Sequence, residues 1–255
     1  MDEPVLFDAR EDGIAVITLN RPRTRNALSK EVRTGLRSAW ERFEHDPTLR
    51  VAILTGAGDK AFCAGGDLKE MVETGMTVPP RDFFALPGDS IELTKPTIAA
   101  VNGIAFAGGW MIAQACDLCV ASTEARFAIT EVKVGRSSPW AAPLIHMIPQ
   151  RIMMEIVLTG KPITAQRAYE IGLVNRLSPP GQELAAALEL ASEILEGAPL
   201  SVRAARDTVM LATEMGRSAA LQTARHASEY TYRSEDAQEG PRAFAEKRRP
   251  QWKGR

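Results

Sequence analysis

Only three cysteines and three histidines occur among the 255 residues. Cys63, Cys116 and Cys119 are odd in number, and no second Cys pair or His pair accompanies Cys116 and Cys119 to complete a zinc site. His45, His146 and His226 are scattered through segments of helical character, so neither a metal centre nor a His-based triad is expected. Excess charge is missing as well: 31 Lys+Arg against 32 Asp+Glu leave a net −1, which argues against a general nucleic-acid or membrane-surface binder. The amino terminus, Met1 to Asp12, is acidic and lacks an apolar run behind a basic flank, so no secretory signal is expected and the expected location is cytoplasmic. The most membrane-like stretch, Ile98 to Ala121, is broken by Asn102, Gln114 and Asp117 and by Gly108-Gly109, which suits a buried strand, loop and helix better than a span. No GxxxxGK[ST] and no GxGxxG entering a helix is present, which removes nucleotide hydrolysis and NAD chemistry. What is there is 45% hydrophobic and 25% charged, the balance of a globule large enough to need no disulfide or metal staple.

The two halves of the chain differ in pattern. Before about Ala121, short β-prone runs at Ile14 to Leu19, Val51 to Thr55, Thr97 to Val101 and Leu118 to Ala121 alternate with helical ones. Val32, Leu36, Trp40 and Phe43 give a helix starting near Ser29 one apolar face, suited to covering a sheet. After about Pro149 the pattern is nearly all helical, with Ala-rich stretches at Glu183 to Leu195 and Ser201 to Ala212. Strand-helix alternation followed by helices predicts an α/β core whose strand ends carry functional loops.

Two glycine loops stand at such strand ends. The first runs from Gly56 to Asp67, where Asp67 is placed to cap a helix with Glu70 as its reciprocal partner. The small residues Ala64, Gly65 and Gly66 are thereby expected to turn backbone amides outward. The second, Asn102 to Gly109, also leads from a strand into a helical run, Trp110 to Ala115. Either alone is most simply a tight turn. Two on adjacent strands can bring two N–H groups to one point, an oxyanion hole of the kind that stabilises a thioester carbonyl as it becomes an enolate.

The string Ala61-Phe62-Cys63-Ala64-Gly65-Gly66-Asp67-Leu68-Lys69-Glu70-Met71 and the segment Lys95 to Gly103 with Gly108-Gly109 carry a more specific signal. With Leu158-Thr159-Gly160 and Gly172-Leu173-Val174-Asn175, they resemble the enoyl-CoA hydratase/isomerase (crotonase) family over nearly the whole chain. The segments Ser234 to Gly240 and Phe244 to Arg248 also resemble that family, the tail being most similar to its carnitinyl-CoA dehydratase branch. The resemblance implies a crotonase-like α/β fold: a spiral core of ββα turns over residues 1–195 and a helical C-terminal trimerisation region over 196–255. It implies a homotrimer or a dimer of trimers. It also implies an acyl-CoA thioester as substrate, with coenzyme A arriving as part of that substrate and no cofactor bound permanently.

For the site, the resemblance implies oxyanion amides at Ala64 and Gly108, and contacts to substrate or CoA from Arg23, Arg25, Gly65, Gly66, Asp67, Leu68, Phe244 and Lys247. Guanidinium groups at Arg23 and Arg25 suit phosphates, although by themselves they also read as a solvated turn. The basic tail, Lys247 to Arg255, is equally compatible with a charged helix end and with RNA, and no nucleic-acid or membrane partner is expected. Family hydratases use two glutamates. Here Met111 stands at the first position and Glu131 matches the second, so one carboxylate remains. Without the resemblance, Glu131 reads as a surface loop carboxylate. A Gly-rich turn after the later glutamate is replaced by Ser137-Ser138-Pro139-Trp140-Ala141-Ala142-Pro143. Trp110, Met111 and Trp140 are therefore candidate walls of the acyl pocket, the tryptophans being equally suited to filling core. The expected activity is isomerisation or hydration/dehydration of an enoyl-CoA through Glu131. A weak acyl-CoA binding protein and a thioester hydrolase or C–C lyase remain open as alternatives.

Overall fold

A computed structural model describes residues 3–255. Two compact units are present: a larger one that runs to Ala191 apart from Thr94–Pro96, and a smaller one made of Thr94–Pro96 and Ser192–Arg255.

The larger unit contains, in chain order, β1 (Val5–Ala9), β2 (Ile14–Leu19), α1 (Lys30–His45), β3 (Val51–Gly56), β4 (Ala61–Cys63), α2 (Leu68–Thr74), β5 (Thr97–Val101), β6 (Ile104–Phe106) and α3 (Gly108–Gln114). There follow β7 (Leu118–Ser122), β8 (Arg126–Ala128), α4 (Gln150–Thr159), β9 (Ile163–Thr164), α5 (Ala165–Glu170), β10 (Arg176–Ser178) and α6 (Glu183–Leu195), which passes the boundary at Ala191. Six strands form one sheet in the order β1-β2-β3-β5-β7-β10, parallel except for the β1/β2 pair. Four short ones form a second in the order β4-β6-β8-β9. Each pass through β3-β4-α2 and β5-β6-α3 gives one strand to each sheet and then a helix, which is the expected spiral of ββα turns. After β7-β8 the helical position is taken by a tight turn, Glu131–Val134.

The central strands are apolar without alternation because both their faces are covered: every residue of β3 and of β5 is buried. The face of α1 made by Val32, Leu36, Ala39, Trp40 and Phe43 is buried where α1 packs on β1 and β2. Each of the larger side chains contributes about 1.5–3 kcal/mol by leaving water. The N-terminus of α1 is secured by a distant residue. Ser29 spends its hydroxyl on Glu31 (2.7 Å), while the Lys30 amide donates to Glu70 (2.9 Å). Glu70 also holds Arg33 at 2.7 Å, so it does not act as the expected reciprocal cap of α2. Asp67 does cap α2, accepting from the Lys69 and Glu70 amides.

The smaller unit consists of α7 (Pro199–Glu214), α8 (Arg217–Ala227), α9 (Glu229–Tyr232) and α10 (Asp236–Ala245) with the tail that follows. Buried Asp236 accepts from the Lys253 and Gly254 amides, and Arg248 pairs with both Glu239 and Glu246. That pairing holds the Glu239 carboxyl down to about 2. Among the described residues no helix is long and apolar enough to cross a membrane.

Candidate active site

The first glycine loop is tied to the turn before α1. Asn26 donates from Nδ2 to the Ala57 and Ala61 carbonyls (3.0 and 2.8 Å) and accepts the Arg21 amide, so the loop and the arginine turn move as one piece. Gly65 has φ +100°, and a Cβ there would lie 2.9 Å from the Phe106 carbonyl oxygen, which only glycine avoids. The two loops are thus in van der Waals contact.

This packing changes which amides are available. The Ala64 amide donates to the Arg25 carbonyl at 3.0 Å, so the expectation that it faces a ligand does not hold. The Gly65 amide points at the Cys63 sulfur, 3.4 Å away. Among the described residues the Gly66 amide has no acceptor, and a Cβ built on Gly108 would lie 3.6 Å from the Gly66 nitrogen. The Gly108 amide, at the first position of α3, is likewise without an acceptor. The pair of neighbouring free amides is therefore Gly66 with Gly108. Ala107, which aims the second, holds φ 50° and ψ −121°, a conformation costing an alanine about 1–3 kcal/mol. Its own amide donates to Ala128 (2.8 Å) and its carbonyl accepts from Met111 (3.0 Å), which keeps the turn in place.

Both glycines line a cavity of about 930 Å³ that also touches Met111, Gln114, Glu131 and Trp140. Glu131 is half-buried; Oε1 accepts from the Trp140 indole at 3.0 Å and Oε2 is buried without a partner. Burial pushes its carboxyl above the ordinary 4.5, against hydrogen bonds from Trp140 and backbone that favour the charged form. The other carboxylates on the cavity wall are Asp67, 3.3 Å from Arg21, and Asp89, 3.1 Å from Arg81. Met111 and Trp140 line this cavity, whereas Trp110 does not. Its ring is fully buried and meets Phe127 edge to face at 5.7 Å, because one step along α3 rotates it into the core.

Leu68, largely exposed, and Asp67 stand at the cavity rim. Arg23 and Arg25 are exposed on the turn before α1. Phe244 and Lys247 belong to the smaller unit, Phe244 with 87% of its surface exposed. Gln114 was not singled out by sequence; its place three residues after Met111 on one helix is the signal that would have found it. The thiols of Cys63 and Cys119 are pushed up to about 12 by burial and that of Cys116 further, which makes all three inert at neutral pH.

The sequence model of the enoyl-CoA hydratase/isomerase family matches residues 9–255. The chain belongs to the enoyl-CoA hydratase/isomerase family. A carnitinyl-CoA dehydratase of Salmonella arizonae is 40% identical over 96% of this chain and 97% of its own. The enoyl-CoA hydratase EchA19 of Mycobacterium tuberculosis is 41% identical over 94% and 93%. Among solved structures, an enoyl-CoA hydratase from Mycobacterium tuberculosis superposes with a TM-score of 0.92 at 40% identity, covering both chains completely. One from Bacillus anthracis gives 0.89 at 32%, covering 99% of this chain and 100% of its own. The fold of this family member is thus the crotonase fold, and the chain is an enzyme of the enoyl-CoA hydratase/isomerase type.

Proposed function

We propose that this enzyme moves a proton on an acyl-CoA thioester through one carboxylate, Glu131, isomerising the double bond of an enoyl-CoA or adding and removing water across it. The observation that carries the reading is the state of the cavity carboxylates: Asp67 and Asp89 are ion-paired, and of the three Glu131 is the one with a buried oxygen that has no partner. The thioester oxygen sits at the Gly66 and Gly108 amides, in place of the pair at Ala64 and Gly108 anticipated from sequence. There the two N–H groups stabilise the enolate oxygen more than the ground-state carbonyl. In a 3-enoyl-CoA, Glu131 takes a proton from the α-carbon to give the dienolate and returns it to the γ-carbon, giving the 2-enoyl-CoA with no net change in the residue.

Hydration needs an activated water as well as a proton for the α-carbon. With Met111, 3% exposed, at the first glutamate position, both tasks fall to one group, which favours the proton shift over hydration. The dehydratase and hydratase names of the relatives support the addition or removal of water as a second reading. Arg23 and Arg25 meet the CoA phosphates as exposed cations. Gly66, Asp67 and Leu68 line the path of the substrate, whereas Gly65, expected there too, is buried between the two loops and shapes the path from beneath. Phe244 and Lys247 cover the CoA of a neighbouring subunit in a homotrimer or dimer of trimers. The enzyme acts in the cytoplasm and holds no permanent cofactor. Incubation with 2-enoyl-, 3-enoyl- and 3-hydroxyacyl-CoA thioesters, followed by mass spectrometry in H2O and D2O, tests the reading. Label at the α- or γ-carbon outpacing water addition supports it. No label and no product from any thioester overturns it.

A further inference from the structure

The free oxygen of Glu131 is free because the other one is held. Trp140, in the turn Pro139–His146, donates from its indole nitrogen to Glu131 Oε1 at 3.0 Å. The same tryptophan is braced from behind: Gln114, on the last turn of α3, donates from Nε2 to the Trp140 carbonyl at 2.7 Å. A main-chain carbonyl can only accept, so this bond fixes the orientation of the Gln114 amide. Its Oε1 is left buried without a partner, an unfavourable arrangement retained for the sake of the bond that is made.

We propose that Trp140 is a positioning residue for Glu131, with Gln114 as its brace, so that the indole fixes Oε1 and leaves Oε2 as the atom that carries the proton. The inference rests on Glu131 being the acid-base group. The chain of contacts runs from α3, which also carries the Gly108 amide, through the turn at Trp140 to the carboxylate. Base and oxyanion donor are thereby referred to one helix, which is what proton transfer at a carbon next to the thioester requires. A wall residue alone needs no indole N–H, since apolar ring surface is enough to make wall. The indole hydrogen bond also favours the ionised carboxylate and opposes the effect of burial, keeping the base available at lower pH than the cavity would otherwise allow. The other charged groups on the cavity wall, Arg21, Asp67, Lys69, Arg81, Asp89 and Arg136, are untouched by the substitutions that test this.

The test follows exchange of the α-protons of butanoyl-CoA in D2O by NMR as a function of pD, for the wild type, Trp140→Phe, Gln114→Met, the double variant and Glu131→Gln. Trp140→Phe is expected to move the acid limb of the profile upward and to lower the rate near neutrality roughly 3- to 10-fold, with KM within about twofold. Gln114→Met is expected to shift the limb in the same direction by less. The double variant is expected to be no worse than Trp140→Phe, because the brace acts only through the indole. An acid limb that stays in place in both single variants, with only KM or acyl preference altered, overturns the inference and leaves Trp140 as wall. Should Trp140→Phe fail to fold, Gln114→Met decides by the same criterion. Full exchange in Glu131→Gln is a different failure, that of the acid-base assignment itself.

Discussion

Gly109→Ala separates packing from helix propensity at the point where the two loops meet. A Cβ on Gly109 would overlap the Cys63 carbonyl oxygen and lie 2.8 Å from its carbon and 3.0 Å from the Cys63 Cβ. Those atoms end β4 and cannot yield as the tip of a long side chain can, so α3 must retreat by on the order of 1 Å to restore ordinary contact. Alanine would favour the helix by up to about 1 kcal/mol, but overpacking of this kind costs about 1–3 kcal/mol or more, and the clash wins. A net loss of about 2 kcal/mol lowers the Tm of a chain of this length by roughly 4–8 °C. The same retreat carries the Gly108 amide away from Gly66, and a misplacement of about 1 Å at a reacting group costs on the order of 100-fold in rate. Gly108→Ala is the control. Its Cβ would meet a methyl of buried Leu28 at 3.0 Å, a contact relieved by a shift of a few tenths of an ångström, and its amide is kept, so its Tm should fall by less than that of Gly109→Ala. Thermal unfolding by circular dichroism and α-proton exchange on butanoyl-CoA measure the two effects. An unchanged Tm and rate in Gly109→Ala would refute the contact on which the loop geometry depends.

Three further variants probe other parts of the account. Because burial raises the Glu131 carboxyl above its unfolded value near 4.5, its ionisation opposes folding at neutral pH; Glu131→Gln should melt higher than the wild type at pH 7. That advantage should shrink as pH falls through the raised value and vanish below the unfolded one. A melting series from pH 7 to pH 4 with a constant gap would contradict it. Glu70→Gln leaves Arg33, with 11% of its side chain exposed and its guanidinium 3.8 Å from the Phe83 ring, without its charged partner. A loss of about 2 kcal/mol in urea unfolding is expected, and no change would show that the pair contributes nothing. Arg23→Ala with Arg25→Ala should weaken free CoA in calorimetry and flatten the salt dependence of binding, whereas an unchanged affinity would move the phosphate site elsewhere.

Four of the six strands of the larger sheet, β2, β3, β5 and β7, were legible because they are long enough to show a pattern, whereas β1 and the three-residue β10 were not read and the segment holding β10 was expected to be helical. The run Ile14 to Leu19 is β2, Thr97 to Val101 is β5, and α1 begins one residue after Ser29. The second sheet was not, since β4, β6 and β8 have three residues each and no period can be read from three positions. Both glycine segments were visible as links from strand to helix, but each, read as loop throughout, holds a short strand, β4 or β6, and whether Ala64 or Gly66 presents a free amide depends on the Arg25 carbonyl, almost forty residues away in sequence. Glu70 looked like a local capping residue and is instead held by Arg33, a contact that local spacing cannot report. Trp110 and Met111 are adjacent in sequence yet face core and cavity respectively, because neighbours on a helix differ by about 100° and the phase of so short a helix as α3 is set by its surroundings. The absent second glutamate, by contrast, was plain from the residue at position 111 alone.

The central claim is that one carboxylate carries every proton step. It is tested most directly by the rate at which purified enzyme converts 3-enoyl-CoA to 2-enoyl-CoA, or exchanges α-protons with D2O, compared with the rate of hydration, in the wild type and in Glu131→Gln. Glutamine keeps the shape and can still accept from the Trp140 indole, but it is not a base. The account predicts that proton transfer outpaces hydration in the wild type and falls by on the order of a hundredfold or more in the folded variant. Efficient hydration by the wild type, undiminished in Glu131→Gln, would contradict it.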